Sequence, residues 1–461
     1  MNWSWLLLRV FFALGILTLL FLSQRFWHRW LWRVTSNWGR VWLRVALRLA
    51  YILALLLVIA AAAEGIRMNR PHLIRTSSLV SGLAGLWFSS ALFGYLGVKA
   101  IHGLDRGWHW LGRRHAARSA EIAPVAGSAA PPVAEILASP GRRYFFQTAT
   151  AVAGAAPFLG AVYGFSTERL KYLVRRVEVP VSNLPPALDG LKIAQLSDIH
   201  LSGYMTREQV RRAVDMANDL APDLAVITGD FITGASDPLA ECIDELRGLR
   251  APLGAWACNG NHEIYAKVED SAQTLFVQAG MKLLRQESAQ LAWRGAHFNL
   301  IGVDYQRERT PGGRRMPMLT RIEPLVRRDM PNILLSHNPN AFNRAAELGI
   351  DLTLSGHTHG GQVQVEILDH RFSPARFITD YIAGLYQRPF AAAAAGNGNG
   401  RVVAAASIAQ AASEPRLMGH GTRATRLGSA SIYVNRGLGT VGAPVRLGVP
   451  PEITLLVLRR A

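Results

Sequence analysis

Four apolar stretches in the first third of the chain, residues 6–22, 43–63, 79–101 and 144–165, limit what it can fold into more than any other feature. A helix needs about 20 mainly apolar residues to cross a roughly 30 Å hydrocarbon core. Each stretch therefore predicts a spanning helix, with a buried helix of a soluble core as the competing reading. The second holds an unbroken apolar run over residues 51–63, while the fourth is rich in Gly and Ala and contains Pro157. Charge supports the membrane reading. The 461 residues carry 50 Lys and Arg against 32 Asp and Glu, a net +18, which taken alone would suit a polyanion such as nucleic acid or anionic lipid. Residues 1–176, however, hold 21 of the basic and 5 of the acidic side chains, leaving 29 and 27 for the rest. Ten of the 12 Trp also precede residue 111, so basic and indole side chains flank the apolar runs as interfacial anchors do. The nearly neutral remainder offers a phosphate backbone little. No nucleic-acid partner is expected; the bilayer is.

The Lys/Arg bias of short loops orients such helices. Arg25, Arg29, Arg33 and Arg40 follow the first stretch, and Arg106, Arg113, Arg114, Arg118, Arg142 and Arg143 lie between the third and fourth. The middle loop has only Arg67, Arg70 and Arg75. With the richer loops in the cytoplasm, everything after residue 166 falls on the extracytoplasmic side of a bacterial inner (cytoplasmic) membrane. Arg169, Lys171, Arg175 and Arg176 pull the other way. Residues 140–147, Pro-Gly-Arg-Arg-Tyr-Phe-Phe-Gln, are similar to an internal twin-arginine export signal or are plain anchoring arginines; both readings send the C-terminal domain outward. Residues 112–140, with Ala, Pro and Gly interspersed, read as a linker. The expected organisation is an α-helical membrane anchor of about four spans over residues 1–166, then a soluble domain over 177–461. Only Cys242 and Cys258 are present, so no disulfide framework is implied.

From residue 191, short apolar runs alternate with helical patterns, which predicts an α/β sandwich. Strands are expected at 192–195, 224–228, 254–257, 298–303, 333–335, 352–354, 431–434 and 453–458, and helices at 207–220, 239–249 and 341–348. Several strands end in a polar cluster: Ser197-Asp198-Ile199-His200, Gly229-Asp230, Asn259-Gly260-Asn261-His262-Glu263, Ser336-His337-Asn338 and Ser355-Gly356-His357-Thr358-His359. Ligands gather at the carboxyl ends of strands in open α/β sheets, so these clusters are expected to converge. Asp198 and His200, two apart on extended chain, face one side; His357 and His359 repeat the spacing. Asp230 has two oxygens with which to bridge, and Asn261 adds a neutral carbonyl. Such a mixture of carboxylate and imidazole suits two divalent cations, with Mn, Fe and Zn all acceptable. A lone His is more often a hydrogen-bonded or surface residue; five such elements in order reverse that weighting. Cys258, beside the third cluster, is expected to be a small buried strand residue and not a thiolate ligand.

The ordered set Asp198-x-His200, Gly229-Asp230, Gly260-Asn261-His262-Glu263, His337 and Gly356-His357-x-His359 resembles the calcineurin-like metallophosphoesterase superfamily over roughly residues 190–458. The resemblance implies two packed β-sheets flanked by helices. It also implies one metal held by Asp198, His200, Asp230 and His359 and a second held by Asp230, Asn261, His337 and His357, with Asp230 bridging. His262 would be no ligand but would face the substrate phosphate as general acid or transition-state stabiliser. Two adjacent cations would polarise the phosphoryl oxygens and make hydroxide available near neutral pH. Residues 356–362, with Asn435-Arg-Gly-Leu-Gly-Thr440 and Arg446-Leu-Gly-Val-Pro-Pro-Glu452, are similar to a membrane-associated bacterial branch. Some relatives there act on phosphodiester or pyrophosphate-linked lipids, including UDP-diacylglucosamine-type precursors. Arg436 and Arg446 are then candidates for binding a substrate phosphate, against the plain alternative of structural ion pairs. Residues 390–430, rich in Ala and Gly, look like a low-complexity insertion forming a mobile surface loop.

The expected function is a membrane-anchored, dinuclear metal-dependent phosphoesterase that cleaves phosphodiester or pyrophosphate bonds of a phospholipid or nucleotide-linked lipid. Confinement at a bilayer raises the local concentration of an amphiphile. The alternatives are a phosphoesterase for soluble nucleotides or sugar phosphates, and a membrane receptor that binds phosphate without reacting; the unbroken ligand set argues against the receptor.

Overall fold

The computed structural model describes residues 3–67, 75–122, 140–182, 184–306, 318–367, 370–372, 379–390, 403–404 and 428–461. Its contacts divide into two units, one of residues 1–68 and 80–163, the other of residues 69–79 and 164–461.

The first unit is helical, built from α1 (Trp3–Thr35), α2 (Val41–Arg67) and most of α3 (Arg75–Ile122) and α4 (Pro140–Ser166). Indole side chains join the helices: Trp27 Nε1 donates to the Ala91 carbonyl at 2.8 Å, and Trp87 Nε1 donates to Gln24 Oε1 at 3.1 Å. Such bonds hold helices together where apolar surface faces lipid. Among the described residues two helical stretches, Gly82–Arg114 and Pro140–Leu170, are long and apolar enough to cross a membrane by length and composition. Two such stretches, against the four expected, are therefore found among the described residues. Residues 6–22 and 43–63 lie in α1 and α2, where the side chains of residues 3–10, 12–13, 57–58 and 61–67 lie outside the described residues. The expected linker is also shortened: residues 112–122 close α3, and 123–139 lie outside the described residues.

The second unit holds strands β1 (Leu173–Val181), β2 (Lys192–Leu196), β3 (Leu224–Ile227), β4 (Ala255–Ala257), β5 (Lys282–Leu283), β6 (Glu287–Trp293), β7 (Ala296–Val303), β8 (Asn332–Ser336), β9 (Leu352–Ser355), β10 (Val365–Ile367), β11 (His370–Phe372), β12 (Gly384–Pro389), β13 (Val403–Ala404), β14 (Ser429–Val434) and β15 (Glu452–Arg460). Its helices are α5 (Arg207–Asn218), α6 (Leu239–Leu246), α7 (Asn261–Ala266), α8 (Glu269–Gln278) and α9 (Phe342–Leu348). One sheet has the order β1-β15-β2-β3-β4-β5, the other β13-β12-β14-β9-β8-β7-β6, and β10 pairs with β11 alone. Strands β2 to β5 run parallel, as do β7, β8, β9 and β14. Central parallel strands are covered on both faces and so read as continuous apolar runs.

Alternate residues define the layers. Leu224 and Val226 of β3 enter the core between the sheets with Ile193, Leu335 and Leu354, whereas Ala225 and Ile227 pack beneath Val214, Ile243 and Phe276 of α5, α6 and α8. Helix α9 covers the far side of the second sheet through Phe342 and Ala345. The first sheet begins before the expected boundary at residue 177, since β1 pairs with β15 from Leu173 opposite Glu452. Of the expected insertion at 390–430, Val403–Ala404 pair with β12; residues 391–402 and 405–427 lie outside the described residues. The layering brings the carboxyl ends of β2, β3, β4, β8 and β9 to one region.

Candidate metal centre

Each of those strands ends in a sharp turn that carries polar side chains. Asp198 follows β2, Asp230 follows β3, Asn261 opens α7 after β4, His337 follows β8, and His357 and His359 follow β9. Five residues there adopt left-handed backbone: Asp198 at φ 48°, His200 at 50°, Asp230 at 58°, His357 at 74° and His359 at 51°. Residues other than Gly seldom do so, and such strain persists where the surroundings over-determine it, commonly at functional sites. Two glycines permit close approach: a Cβ at Gly260 would lie 2.1 Å from Asp230 Oδ1, and one at Gly356 would lie 2.2 Å from Asp198 Oδ2.

The turns assemble two groups of ligating atoms. Asp198, His200, Asp230 and His359 place a carboxylate oxygen or ring nitrogen within 4.8 Å of one another, and Asp230, His337 and His357 form a second such group that shares Asp230. All are buried except His357, which is half-buried. Asn261 is buried between Gly260 and His262, both of which meet Asp230, and its Oδ1 has no hydrogen-bond partner.

The hydrogen bonds on the far side of each ring show what the groups are suited to. His200 Nδ1–H donates to the Ile232 carbonyl at 3.1 Å, and His337 Nδ1–H donates to that of Thr228 at 2.7 Å. In the neutral rings each Nε2 is then an acceptor. His200 Nε2 faces His359 Nε2 at 3.2 Å and Asp230 Oδ2 at 3.4 Å; His337 Nε2 faces His357 Nδ1 at 3.2 Å and Asp230 Oδ2 at 3.1 Å. Acceptors crowded in this way need a positive charge among them. A carbonyl on the other ring nitrogen is the arrangement that orients metal-ligating His. The donor set and the orphaned Asn261 oxygen thus fit a pair of divalent cations.

For the protein groups alone, protons take that part. Burial opposes protonation of His337, but Asp230 and Asp198 hold the ring up to about 10. Burial would raise Asp230, yet His337 and His200 hold its carboxyl well below the usual range. Burial lifts Asp198. Burial, with the charge of His337, pushes His357 down to about 4, and burial with His200 pushes His359 well below its ordinary value. Those two rings are neutral, the form that binds metal.

His262 stands beside these groups and belongs to neither. Its backbone N–H donates to Asp230 Oδ1 at 3.0 Å, its Nδ1–H donates to the Thr233 carbonyl at 2.6 Å, and its ring meets His200 edge-on with centroids 4.8 Å apart. Burial lowers its pKa. Thr233 is itself pinned, since Asp237 Oδ2 accepts from the backbone N–H of Thr233 at 2.9 Å and of Gly234 at 2.8 Å. Glu263 accepts from the backbone N–H groups of Asp230, Phe231 and Gly260 at 2.9, 2.8 and 2.8 Å, tying the end of β3 to α7. Burial and the charge of Asp230 lift its carboxyl to about 7. The sequence reading missed Thr233 and Asp237; a carbonyl that orients a ring leaves no side-chain signature.

Arg446 departs from expectation. It is fully buried, and its guanidinium donates to the carbonyls of Gly439, Val449, Arg436 and Gly437 at 2.6 to 3.2 Å. A fork committed to main-chain oxygens is not presented to a phosphate, so Arg446 is a structural brace. Burial lowers its pKa to about 10, which leaves it charged at neutral pH. Arg436 Nε lies 3.3 Å from Glu452 Oε2, an oxygen that Arg175 also meets at 3.2 Å. That arrangement is the ion pair weighed against phosphate binding. Cys258 is buried in the core between the sheets.

Residues 191–361 match the calcineurin-like phosphoesterase family. The transmembrane protein with metallophosphoesterase domain of Bos taurus is 32% identical over 62% of this chain and 57% of its own length. The uncharacterized metallophosphoesterase YkuE of Bacillus subtilis is 28% identical over 67% of this chain and 94% of its own. UDP-2,3-diacylglucosamine pyrophosphatase LpxG of Chlamydia trachomatis is 26% identical over 66% and 94%. This chain therefore spans a little over half the length of the bovine relative. The likeness extends across bacterial and animal proteins, which corrects its expected restriction to a bacterial branch.

Proposed function

We propose that this chain, which carries a calcineurin-like metallophosphoesterase domain, is a membrane-associated, dinuclear metal-dependent hydrolase of phosphodiester or pyrophosphate bonds. Its substrate is a phospholipid or a nucleotide-linked lipid. The observation that carries the reading is the pair of Asp/His groups sharing Asp230. Asp198, His200, Asp230 and His359 would hold one cation, and Asp230, Asn261, His337 and His357 the other. Mn, Fe and Zn all suit those donors. When bound, the cations supply Lewis-acid polarisation of the phosphoryl oxygens and hydroxide at neutral pH.

His262 handles the proton. With Nδ1–H fixed on the Thr233 carbonyl, the ring meets substrate through Nε2. Burial keeps the ring below its ordinary pKa, whereas the negative charge of a phosphate acts in the opposite direction. A proton held at Nε2 is then handed to the leaving oxygen.

The lipid preference is supported by the two stretches able to cross a membrane and by the likeness to a pyrophosphatase of a UDP-linked lipid. The loop-charge bias favours the extracytoplasmic side of a bacterial inner membrane. The test is the full chain in mixed micelles with manganese, comparing a nucleotide-linked lipid with the same nucleotide ester lacking acyl chains. We expect kcat/KM higher for the lipid by about tenfold or more, as local concentration at a micelle provides. Equal or better soluble turnover would move the substrate to soluble nucleotides or sugar phosphates.

A further inference from the structure

We infer that the site carries an aromatic shelf for a flat ring on one ester group of the substrate, which selects phosphodiesters and pyrophosphates of nucleoside type over wholly aliphatic ones; this rests on the phosphoesterase reading above. The shelf begins at Tyr265, which is 50% exposed. It follows His262 by three residues on α7, so the two side chains share a helix face, and their ring centroids lie 6.1 Å apart. Among the residues of 164–461 whose side chains are described, a set that leaves out Phe372, every other Phe, Tyr and Trp ring is buried or half-buried. Among those described side chains, the exposed ring is the one beside the proton-handling His.

Tyr305 continues the row. Its ring lies 6.2 Å from that of Tyr265, nearly perpendicular to it, and 5.6 Å from that of His357. The sequence His262, Tyr265, Tyr305, His357 thus lines one side of the group formed with Asp230 and His337. The preceding residue is anchored: Asp304 accepts from Asn259 Nδ2 at 2.7 Å and from Arg285 Nε at 2.9 Å. Tyr305 is therefore carried on a fixed segment, one tied to the residue that leads into Gly260 and Asn261.

Ring chemistry decides the occupant. An aromatic side chain prefers an offset or edge-on aromatic partner with centroids about 4.5–7 Å apart, and stacking of this kind tolerates any nucleobase because each has a π-face. An acyl chain needs a continuous apolar trough instead. Among the described residues of this unit the other exposed large apolar side chains are Val174 and Val277, on β1 and α8, which contribute nothing to the site. A nucleotide-linked lipid would satisfy the shelf through its base; a plain phospholipid would not.

The test uses the full chain loaded with manganese and two esters that differ only in the base: the methyl ester of uridine 5′-phosphate and the methyl ester of ribose 5-phosphate, with products read by chromatography. We expect kcat/KM to favour the base-bearing ester by about tenfold, the scale of one base–aromatic stack. Tyr265→Leu should bring that ratio toward one, and Tyr305→Leu should lower it in part. Equal hydrolysis of both esters by the wild type, or an equal loss on both in Tyr265→Leu, would overturn the shelf alone. Hydrolysis of neither ester would overturn the phosphoesterase reading and the shelf with it.

Discussion

His262 concentrates the chemistry at the scale of single residues, because it touches Asp230 through its backbone and Thr233 through its ring without joining either ligand group. His262→Ala should therefore keep two metal ions per chain while kcat falls by about 10²- to 10⁴-fold, the usual loss on removing a general acid. Metal analysis beside turnover checks this, and an emptied centre would make His262 a ligand. The candidate ligands were legible in the sequence because Asp and His at spacings of two, each after an apolar run, have few other reasons to recur in order. Thr233 and Asp237 were not, and Glu263 stood in the third polar cluster without a role. Asp237 and Glu263 accept from backbone N–H groups and Thr233 offers its carbonyl to the His262 ring, and these hydrogen bonds fix where Asp230 and His262 sit. Tyr265 was hidden for another reason: a tyrosine on a helix is ordinary until its neighbours and its exposure are known.

Strands β2, β3, β4, β8 and β9 were readable as elements because they are buried on both faces. Strand β1 was not, since Arg175 and Arg176 lie on an exposed stretch at the edge of the sheet and resemble anchoring charges after a membrane helix. The loop after β14 was legible as a motif but not as a structure. Arg446 holds its carbonyls, and Gly439 N–H donates to the carbonyl of Asp198 at 2.7 Å, so the loop braces the turn that carries Asp198 and His200. Arg446→Met should leave several buried carbonyls without donors, at roughly 1–3 kcal/mol for each group left unmet. Denaturant unfolding should show a clear loss of stability, accompanied by weaker metal retention. An unchanged midpoint would show that the loop stands without its brace.

For the whole molecule, the chain holds helices of membrane-like hydrophobicity and, after them, an α/β domain that matches the calcineurin-like phosphoesterase family over residues 191–361. The division was visible in the sequence because basic and Trp residues crowd the first part while the second is nearly neutral. The apolar stretches at 6–22 and 43–63 also lie in helices, α1 and α2, but part of each falls on side chains outside the described residues. The domain's chemistry is most directly tested on the full chain in detergent. It would be stripped of metal, reloaded with manganese, iron or zinc, and assayed with bis-p-nitrophenyl phosphate beside Asp230→Asn. Turnover that appears only with metal and is lost when the shared carboxylate becomes an amide is the expected result. Turnover that survives metal removal or the Asp230 change, or a folded chain holding two ions that hydrolyses no ester, would contradict the dinuclear phosphoesterase.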